Sequence, residues 1–418
     1  MTREASNKIL IGIVIGIVCA FLGLLIFGEK MVSVKFLGDF FLTALQMVVV
    51  PLVVASVTVG IIRMGDVRKV GRAGLLTLGY YAVTTAFAVG LGIFLVTTIQ
   101  PGVGMTTDSS SLISAEDSQS LMGRVEGRQG VTWADLLLSA VHPNLFDAFA
   151  KGKMLPVILF SLLFGGIIST MGAKGKPLID LFESLNEVIM RLVHIIMWLA
   201  PIGIFGLVAS KFASFGPPEV WVEKLSYLGK YMSTVIIGLL VHGAVTLPLI
   251  TYFFAKRNPL QLFLAIMPAW LTALSTASSS ATLPLTIDCA ENRANISPKT
   301  AGFVLPLGAT INMDGTALYE AVATIFIAQA YGIHLEPQQL ILVFMLATVI
   351  SIGAAGIPEA GLFMMVIILE ALDLPFEAIA LIFVIDWLLD RFRTSINVWG
   401  DCVGAAVIDN LSGTEPTL

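Results

Sequence analysis

The chain has 418 residues, of which 56% are hydrophobic and only 13% are charged. Soluble domains carry about 25% charged residues and must cover their surface with polar groups. This composition, with a mean hydropathy of +0.90, therefore predicts an integral membrane protein. It excludes a disordered chain and a disulfide-rich secreted module, and the net charge of −5 gives no support to nucleic-acid binding.

Long apolar runs recur along the chain. The first, residues 9–27, is too long for the core of a typical signal peptide and predicts an uncleaved first span. The further runs are 41–62, 75–98, 153–171, 180–212, 226–254, 301–330, 338–372 and 375–400. A segment at 260–288 is also apolar, but small residues and Pro284 interrupt it. About eight membrane spans fit this pattern.

Basic residues mark one side of the predicted membrane protein. They cluster between the second and third runs and after the fourth and sixth: Arg63, Arg68, Lys69, Arg72, Lys174, Lys176, Lys256 and Arg257. The region 101–131 is instead acidic and rich in Gly, Ser and Thr, which is typical of an external loop. The positive-inside rule predicts a multi-pass protein of the cell membrane with both termini in the cytoplasm.

Two small, polar segments interrupt the apolar pattern in the second half of the chain, at 275–282 and 351–361. Each precedes a helix that carries amides and carboxylates, at 312–316 (Asn-Met-Asp-Gly-Thr) and 397–401 (Asn-Val-Trp-Gly-Asp). Irregular backbone at membrane depth must line a cavity enclosed by protein, and paired broken segments point to a transporter binding site. Close helix packing through small residues is the alternative.

The last span carries a polar stripe formed by Asp386, Asp390, Arg393, Asn397 and Asp401. At 100° per residue these side chains fall within about 80° of one another. An ionised group at the membrane centre costs at least about 2.5 kcal/mol, so the stripe should face a cavity, a partner charge or bound ions. The alternative is an internal salt-bridge ladder that pairs Asp390 with Arg393.

Two further polar groups lie inside apolar spans. Glu320 is an isolated carboxyl, and because burial favours its neutral form, it is a candidate proton carrier. The alternative is a protonated or paired structural residue. Tyr81, Thr84 and Thr85 lie together on the third span and offer oxygens to a cation, although Thr in membrane helices more often bonds its own backbone.

Four motifs in order carry a family resemblance. They are the serine-rich segment 275–282, the segment 312–316, Ala-Gly-Ile-Pro at 355–358 and Asp-Arg-Phe-Arg-Thr at 390–394. With them the chain resembles the glutamate transporter family, the dicarboxylate/amino acid:cation symporters, over nearly its whole length.

The resemblance implies a homotrimer and an elevator mechanism with inverted repeats. Residues 1–255 would mainly form the trimerisation scaffold, with the third span joining the transport domain, and 256–418 would form the core of that domain. Re-entrant hairpins would lie at about 260–288 and 338–373. The implied function is sodium-coupled, and also proton-coupled, symport of L-glutamate or L-aspartate, with lipids and the small substrate as partners.

The resemblance also implies the site residues. Substrate would be bound by Ser279, Ser280, Thr316, Gly356, Asp390, Arg393, Thr394 and Asn397. Asp390 would take the α-ammonium group and Arg393 the side-chain carboxylate, since a guanidinium offers a bidentate fork. Three sodium sites would use Tyr81, Thr84, Thr85, Gly308, Thr310, Asn312, Met313, Asp314, Ser351, Ile352, Ala354, Asn397 and Asp401, and hard oxygen ligands suit such a cation.

Two positions depart from the archaeal pattern of that family. Ala277 stands where archaeal relatives carry an Arg, and Arg391 lies in the last span instead, either balancing Asp386 or approaching the first hairpin. Glu320 stands where archaeal relatives carry Gln. Both positions look like those of the animal excitatory amino acid carriers, which implies proton cotransport and leaves potassium countertransport open.

Other functions remain as alternatives. Within transport they are a proton-coupled C4-dicarboxylate symporter and a neutral amino acid symporter, and outside it an ion channel. No enzyme is expected, because His142, His194, His242 and His334 are all remote in sequence from both hairpin tips. The absence of a Walker-type sequence argues against an ATP-driven pump.

Overall fold

The computed structural model describes residues 3–63, 72–105, 138, 141–151, 153–214, 218–353, 360–375 and 378–412. Throughout these residues the chain is helical and forms no strand, which confirms the predicted all-α class.

The first half of the chain forms nine α-helices within the described ranges. They are α1 (Arg3–Phe27), α2 (Lys35–Arg63), α3 (Arg72–Ile99), α4 (Leu145–Ala150), α5 (Met154–Thr170), α6 (Lys176–Met197), α7 (Ala200–Ser214), α8 (Pro218–Val241) and α9 (Leu247–Phe253). Short 3₁₀ segments at Gly28–Val34 and Gly172–Gly175 and a π-helical turn at His242–Thr246 join some of them.

The second half contains seven helices over the residues that the structure describes. They are α10 (Pro259–Thr276), α11 (Ser279–Asn292), α12 (Pro298–Ile311), α13 (Asp314–Ala330), α14 (Pro337–Ile350), α15 (Ala360–Ala371) and α16 (Ile379–Ser412).

Local sequence signals explain where several of these helices begin. Asn258 caps α10 by accepting hydrogen bonds from two backbone N–H groups, and Pro259 occupies its first turn. Ser297 and Pro298 begin α12 in the same way, and α14 follows a capping box at Glu336. A capping side chain satisfies an otherwise unpaired backbone N–H, and proline needs no such partner there.

The helices pack as two bundles. The first bundle consists of α1, α2, α5, α6 and α7, and the second of α3 and α8 to α16. The two bundles meet where α7 packs against α16 and where α15 packs against α2 and α5. The rings of Phe41 on α2 and Phe383 on α16 also lie 5.7 Å apart. The described polar residues predicted to form the site lie in the second bundle.

The membrane spans differ in part from the predicted runs. Four continuous stretches in the described ranges are long and apolar enough to cross a membrane, at 11–41, 73–99, 223–253 and 259–276, and four other apolar helices are shorter. The run 180–212 is two helices, because the chain turns at Trp198 and Leu199 before Pro201. The number of eight spans therefore stays a prediction.

A helical hairpin lies where the first re-entrant hairpin was predicted, and that it is re-entrant stays a prediction. Helices α10 and α11 pack against each other and are joined by Ala277 and Ser278. Ala277 has a left-handed backbone (φ 49°), which reverses the chain, and Ser278 caps α11 by accepting from the Ala281 N–H at 3.2 Å. The N-terminus of α11 thus lies at the tip, where its free N–H groups favour an anion.

The second predicted hairpin is described in part. Helix α14 ends in a 3₁₀ turn (Ser351–Gly353), and α15 forms the returning arm. The turn packs against α2, α12 and α13, so it lies beside the junction of the two bundles. Residues 354–359, which include the predicted ligands Ala354 and Gly356, lie outside the described residues.

Candidate functional site

A two-residue break separates α12 from α13. Asn312 (φ −88°, ψ 84°) and Met313 (φ −111°, ψ 48°) leave the helical conformation, and both are buried. A break in a helix releases carbonyl groups from the i to i−4 hydrogen-bond pattern. Such carbonyls become available to a cation when the break lies inside a protein.

Asp314, the first residue of α13, is bound from two neighbouring elements. Its Oδ1 accepts from the hydroxyls of Thr85 at 2.7 Å and Thr84 at 3.3 Å, both on α3. Its Oδ2 lies 3.1 Å from Nε2 of His242, on the π-helical turn. The predicted grouping of Asp314 with the third span is therefore present, and a histidine is added to it.

A second carboxylate, Asp401 on α16, faces the end of α12. Its Oδ1 accepts from the Asn312 side-chain amide at 3.0 Å. A Cβ on Gly308 would lie 2.4 Å from the same oxygen and 2.6 Å from the Tyr81 hydroxyl, so only glycine fits there. Tyr81 in turn donates to the Val304 carbonyl at 2.8 Å. Oxygens of α3, α12 and α16 thus converge around one small volume.

Asn397 joins α16 to the start of α13. Its Oδ1 accepts from the Gly315 N–H at 2.8 Å, and its amide lies 3.2 Å from the Thr316 hydroxyl and 3.2 Å from the Met313 sulfur. The side chain therefore connects the residues predicted for sodium with Thr316, which was predicted for substrate.

Arg393 is completely buried within the second bundle. Its Nη2 donates to Asp390 Oδ1 at 2.8 Å, and its Nη1 lies 3.2 Å from Asp386 Oδ1. The guanidinium also lies 3.8 Å from the centroid of the Tyr319 ring, a cation–π contact. The internal ion pair considered as an alternative is thus present, and Asp386 belongs to it.

Arg391 reaches the first hairpin, as one of the two sequence-based interpretations expected. Its Nη1 donates to the carbonyls of Ser275 at 2.5 Å and Leu274 at 3.2 Å. At the tip itself the Ser279 side chain is buried and that of Ser280 is exposed. The arginine on α16 therefore ties the hairpin to the helix that carries the polar stripe.

Glu320 lies two turns into α13 and is completely buried. Neither of its carboxyl oxygens has a hydrogen-bond partner among the described residues. An ionised carboxylate without such partners is strongly disfavoured in a dry protein interior, so this position suits a carboxyl that carries a proton.

The remaining predicted residues take less central positions. The Thr310 hydroxyl donates to the Leu307 carbonyl of its own helix at 3.0 Å, as threonine often does in membrane helices. Ser351 and Ile352 belong to the turn of the second hairpin, and Thr394 is buried on α16.

The sequence-based reasoning missed two contacts of the site. His242 is remote from both tips along the chain, yet it contacts Asp314, and no basic residue lies one helical turn from Asp314 in the sequence. Asp386 was placed on the stripe with Arg391 as one suggested partner, whereas the structure pairs it with Arg393. The signal for His242 was available, since an ionisable residue inside an apolar span is by default a candidate functional residue.

Buried charges, a broken helix and a helical hairpin within one bundle of apolar helices are typical of membrane transporters. Comparison with known proteins agrees: the sodium:dicarboxylate symporter family matches residues 6–411. The chain is 38% identical to excitatory amino acid transporter 2 of Mus musculus over 97% of this chain and 78% of that protein. It is 39% identical to excitatory amino acid transporter 3 of Mus musculus, over 96% and 84% of the two chains, and 37% identical to an excitatory amino acid transporter of Caenorhabditis elegans, over 96% and 86%.

The chain therefore belongs to the sodium:dicarboxylate symporter family. This is a family of transporters and not of enzymes, and sodium is the coupling ion that its description names. The resemblance inferred from the four motifs is confirmed.

Proposed function

We propose that the protein transports acidic amino acids, L-glutamate or L-aspartate, into the cell together with sodium. The observation that carries this proposal is the buried face of α16. On it a guanidinium, an amide and two carboxylates follow one another at helical spacing, and each contacts another polar group of the second bundle (Asp390, Arg393, Asn397, Asp401).

Arg393 would bind the side-chain carboxylate of the substrate and Asp390 its ammonium group. These two side chains pair with each other at 2.8 Å. An acidic amino acid could replace that ion pair, because its carboxylate would pair with Arg393 and its ammonium group with Asp390. The α-carboxylate would lie at the N-terminus of α11, with Ser279, Ser280 and Asn397. Thr316, Gly356 and Thr394 would complete the site.

Three sodium ions would bind around the break between α12 and α13. The first would use Asp401 with carbonyls of Gly308, Asn312 and Asn397. The second would use the region of Thr310 and Met313 with carbonyls at 351–354, and the third would use Asp314 and Asn312 with Tyr81, Thr84 and Thr85. The convergence of neutral oxygens and two carboxylates supports this assignment, because sodium prefers hard oxygen ligands.

Glu320 would carry a cotransported proton. Its burial without a hydrogen-bond partner in the described residues supports this role. If potassium is countertransported, it would bind after substrate and sodium have left and would move outward in the return step.

The protein would be a homotrimer in the cell membrane with both termini in the cytoplasm. The first bundle would form the scaffold, and the second would move across the membrane as an elevator. Helix α8 belongs with the moving part in this proposal, because it packs against α13 and α16. Apolar side chains exposed on α1, such as Ile15, Leu22 and Leu25, would face lipid or a second copy of the chain.

The decisive experiment is uptake of radiolabelled aspartate and glutamate into proteoliposomes that contain the purified protein. Sodium, proton and potassium gradients are imposed one at a time. We expect accumulation that requires an inward sodium gradient and saturates with substrate. Uptake of succinate or serine in preference to aspartate would instead favour the C4-dicarboxylate or the neutral amino acid alternative.

Two variants test the substrate site and the sodium site separately. Arg393→Cys should abolish uptake of aspartate and can admit a neutral amino acid, while Asp401→Asn should shift the sodium dependence by about 5- to 150-fold, the usual range of coupling between sites. Unchanged aspartate affinity in Arg393→Cys would contradict the substrate assignment, and unchanged sodium dependence in Asp401→Asn the ion assignment.

A further inference from the structure

A compact polar cluster lies at the end of the second bundle, away from the residues described above. At its centre is Asp409, which is buried near the end of α16. Its Oδ2 accepts from Arg257 Nη2 at 3.0 Å. Its Oδ1 accepts from Ser297 twice, from the hydroxyl at 2.7 Å and from the backbone N–H at 3.3 Å. One carboxylate is thus bound to two other segments of the chain.

The same segments are joined by further hydrogen bonds. Arg257 donates to the carbonyl of Asn295 at 3.1 Å and also to that of Ala294. Asn410, the neighbour of Asp409, donates to the Phe254 carbonyl at 2.9 Å. The connection after α9, the connection between α11 and α12, and the end of α16 therefore meet in one cluster.

Ser297 is the N-cap of α12, where it accepts from the Thr300 N–H at 3.4 Å. Because Asp409 accepts from both donors of this cap, it fixes where α12 begins relative to α16. The same two helices meet again at the other end of α12, where Asn312 donates to Asp401. The helices are thus antiparallel and held by polar contacts at both ends of α12.

The two contacts are linked through the helices and not directly. Asp409 lies eight residues beyond Asp401 on α16, which corresponds to about 12 Å along the axis. A shift of α12 at its N-cap would move Gly308 against Asp401, and there the backbone is so close that even a Cβ would lie 2.4 Å from the carboxylate. A small shift of α12 along α16 would therefore change the positions of the predicted sodium ligands.

We propose that Asp409 is a positioning residue for sodium: bound to Arg257 and the cap of α12, it holds Asn312 and Asp401 at the distance that the ion requires. The proposal rests on the proposed function, since it needs a sodium site at Asp401. It adds a residue that contacts neither ion nor substrate, so its removal should change sodium affinity and leave the binding of substrate at saturating sodium intact.

The test uses the full chain in proteoliposomes and varies external sodium. Asp409→Ala should raise the sodium concentration for half-maximal aspartate uptake about three- to tenfold, with KM for aspartate at saturating sodium unchanged. Asp409→Glu, which keeps a carboxylate, should restore part of the loss. Asp288→Asn is the matched control, because this exposed carboxylate on α11 accepts a hydrogen bond from Asn292 of its own helix.

Ser297→Ala keeps the proposal testable if Asp409→Ala does not fold. It removes the 2.7 Å hydrogen bond to Asp409 and the contacts of the same hydroxyl with Thr300, but keeps the backbone N–H contact with Asp409. It should shift sodium dependence in the same direction by a smaller factor. The variant that carries both substitutions should shift the sodium dependence of uptake no further than Asp409→Ala does alone. Thermal stabilisation of the purified protein by added sodium is a second readout, and it involves no transport. The sodium concentration that it requires should rise in the same variants.

The outcomes distinguish the two proposals. Wild-type sodium dependence in both Asp409→Ala and Ser297→Ala, or a change confined to KM for aspartate, would overturn the positioning role. Wild-type protein whose uptake and stability both ignore sodium would overturn the proposed function and the positioning role with it.

Discussion

The two bundles use different means to hold their helices together. In the first bundle helices approach through glycine: a Cβ on Gly203 would lie 2.4 Å from Phe41, and one on Gly206 would lie 2.7 Å from the backbone of Gly38. Its hydroxyls mainly bond their own helix, as Ser161 does with the Val157 carbonyl at 2.8 Å. Close packing through small residues is the usual way in which membrane helices associate.

The second bundle also has close glycine contacts, as at Gly315 against the Arg393 backbone, but in addition it joins its helices through polar side chains. Asn312 binds Asp401 across 89 positions of sequence, and the Gly315 N–H binds Asn397 across 82. Unpaired polar groups are expensive in a membrane, and each of these contacts pairs two groups that would otherwise be unsatisfied. Equivalent substitutions should therefore have unlike consequences in the two bundles, as loss of stability in the first and loss of ligand binding in the second.

The largest effect is expected for Gly308→Ala. The added Cβ would lie 2.4 Å from Asp401 Oδ1 and 2.6 Å from the Tyr81 hydroxyl, both of which are fixed by hydrogen bonds. Displacement of the carboxylate should raise the sodium concentration for half-maximal uptake about 100-fold, which corresponds to about 2.7 kcal/mol. Sodium titration of aspartate uptake in proteoliposomes measures this shift.

Gly302→Ala on the same helix is the matched control for that variant. A Cβ there meets nothing within 4 Å, so its sodium dependence should match the wild-type protein. Equal shifts in the two variants would mean that alanine disturbs α12 in general, and the difference between the bundles would lose its support.

His242→Phe should have the next largest effect. The substitution removes the Nε2 contact at 3.1 Å with Asp314 and keeps an aromatic ring of similar size. Loss of a hydrogen bond to a charged group costs about 1.5 kcal/mol or more, so sodium affinity should fall about tenfold. His242→Gln retains a donor and should lose less. Identical sodium titrations for His242→Phe and wild type would show that this contact does not support the ion.

The contact of His242 also shows what the sequence could not predict. Motifs reveal residues that are near one another along the chain or spaced on one helix face, such as Asp401 and Arg393. The partner of His242 lies 72 positions away on another helix, and only the packing of the π-helical turn against the start of α13 brings them together. Pairing across helices depends on tertiary geometry that helical periodicity does not contain.

Helix breaks were predicted unevenly for a related reason. The hairpin tip near Ser278 was expected, because serine and other small residues interrupt an apolar run there. The break at Asn312 and Met313 was not expected, because 312–316 was predicted to lie on a helix. The turn at Trp198 and Leu199 lies within a run of large apolar residues, which hides it from hydropathy. The helix α16 also extends further than the last apolar run, since it continues beyond residue 400 to Ser412.

A smaller effect on net uptake is expected for Glu320→Gln. Glutamine resembles the protonated carboxyl in shape and charge, and no described residue donates a hydrogen bond to Glu320 that the change would remove. Exchange of internal for external aspartate should therefore continue at the wild-type rate but lose its dependence on pH. Net uptake should slow several-fold, because the empty return requires release of the proton. Exchange that kept the wild-type pH profile would leave Glu320 a structural carboxyl.

Gly203→Ala should have the smallest effect on transport and the clearest effect on stability. The added Cβ would lie 2.4 Å from Phe41 in the first bundle, where ring and backbone are both packed, and overpacking of this kind costs about 1–3 kcal/mol. Thermal unfolding of the purified protein should move to lower temperature, while the sodium titration of the folded fraction should coincide with that of the wild type. Gly166→Ala on α5 is the control, since a Cβ there meets nothing within 4 Å. A shift in sodium affinity for Gly203→Ala without loss of stability would mean that the first bundle shapes the ion site as directly as the second. The proposed difference between the bundles, with stability affected in the first and ligand binding in the second, would then be wrong.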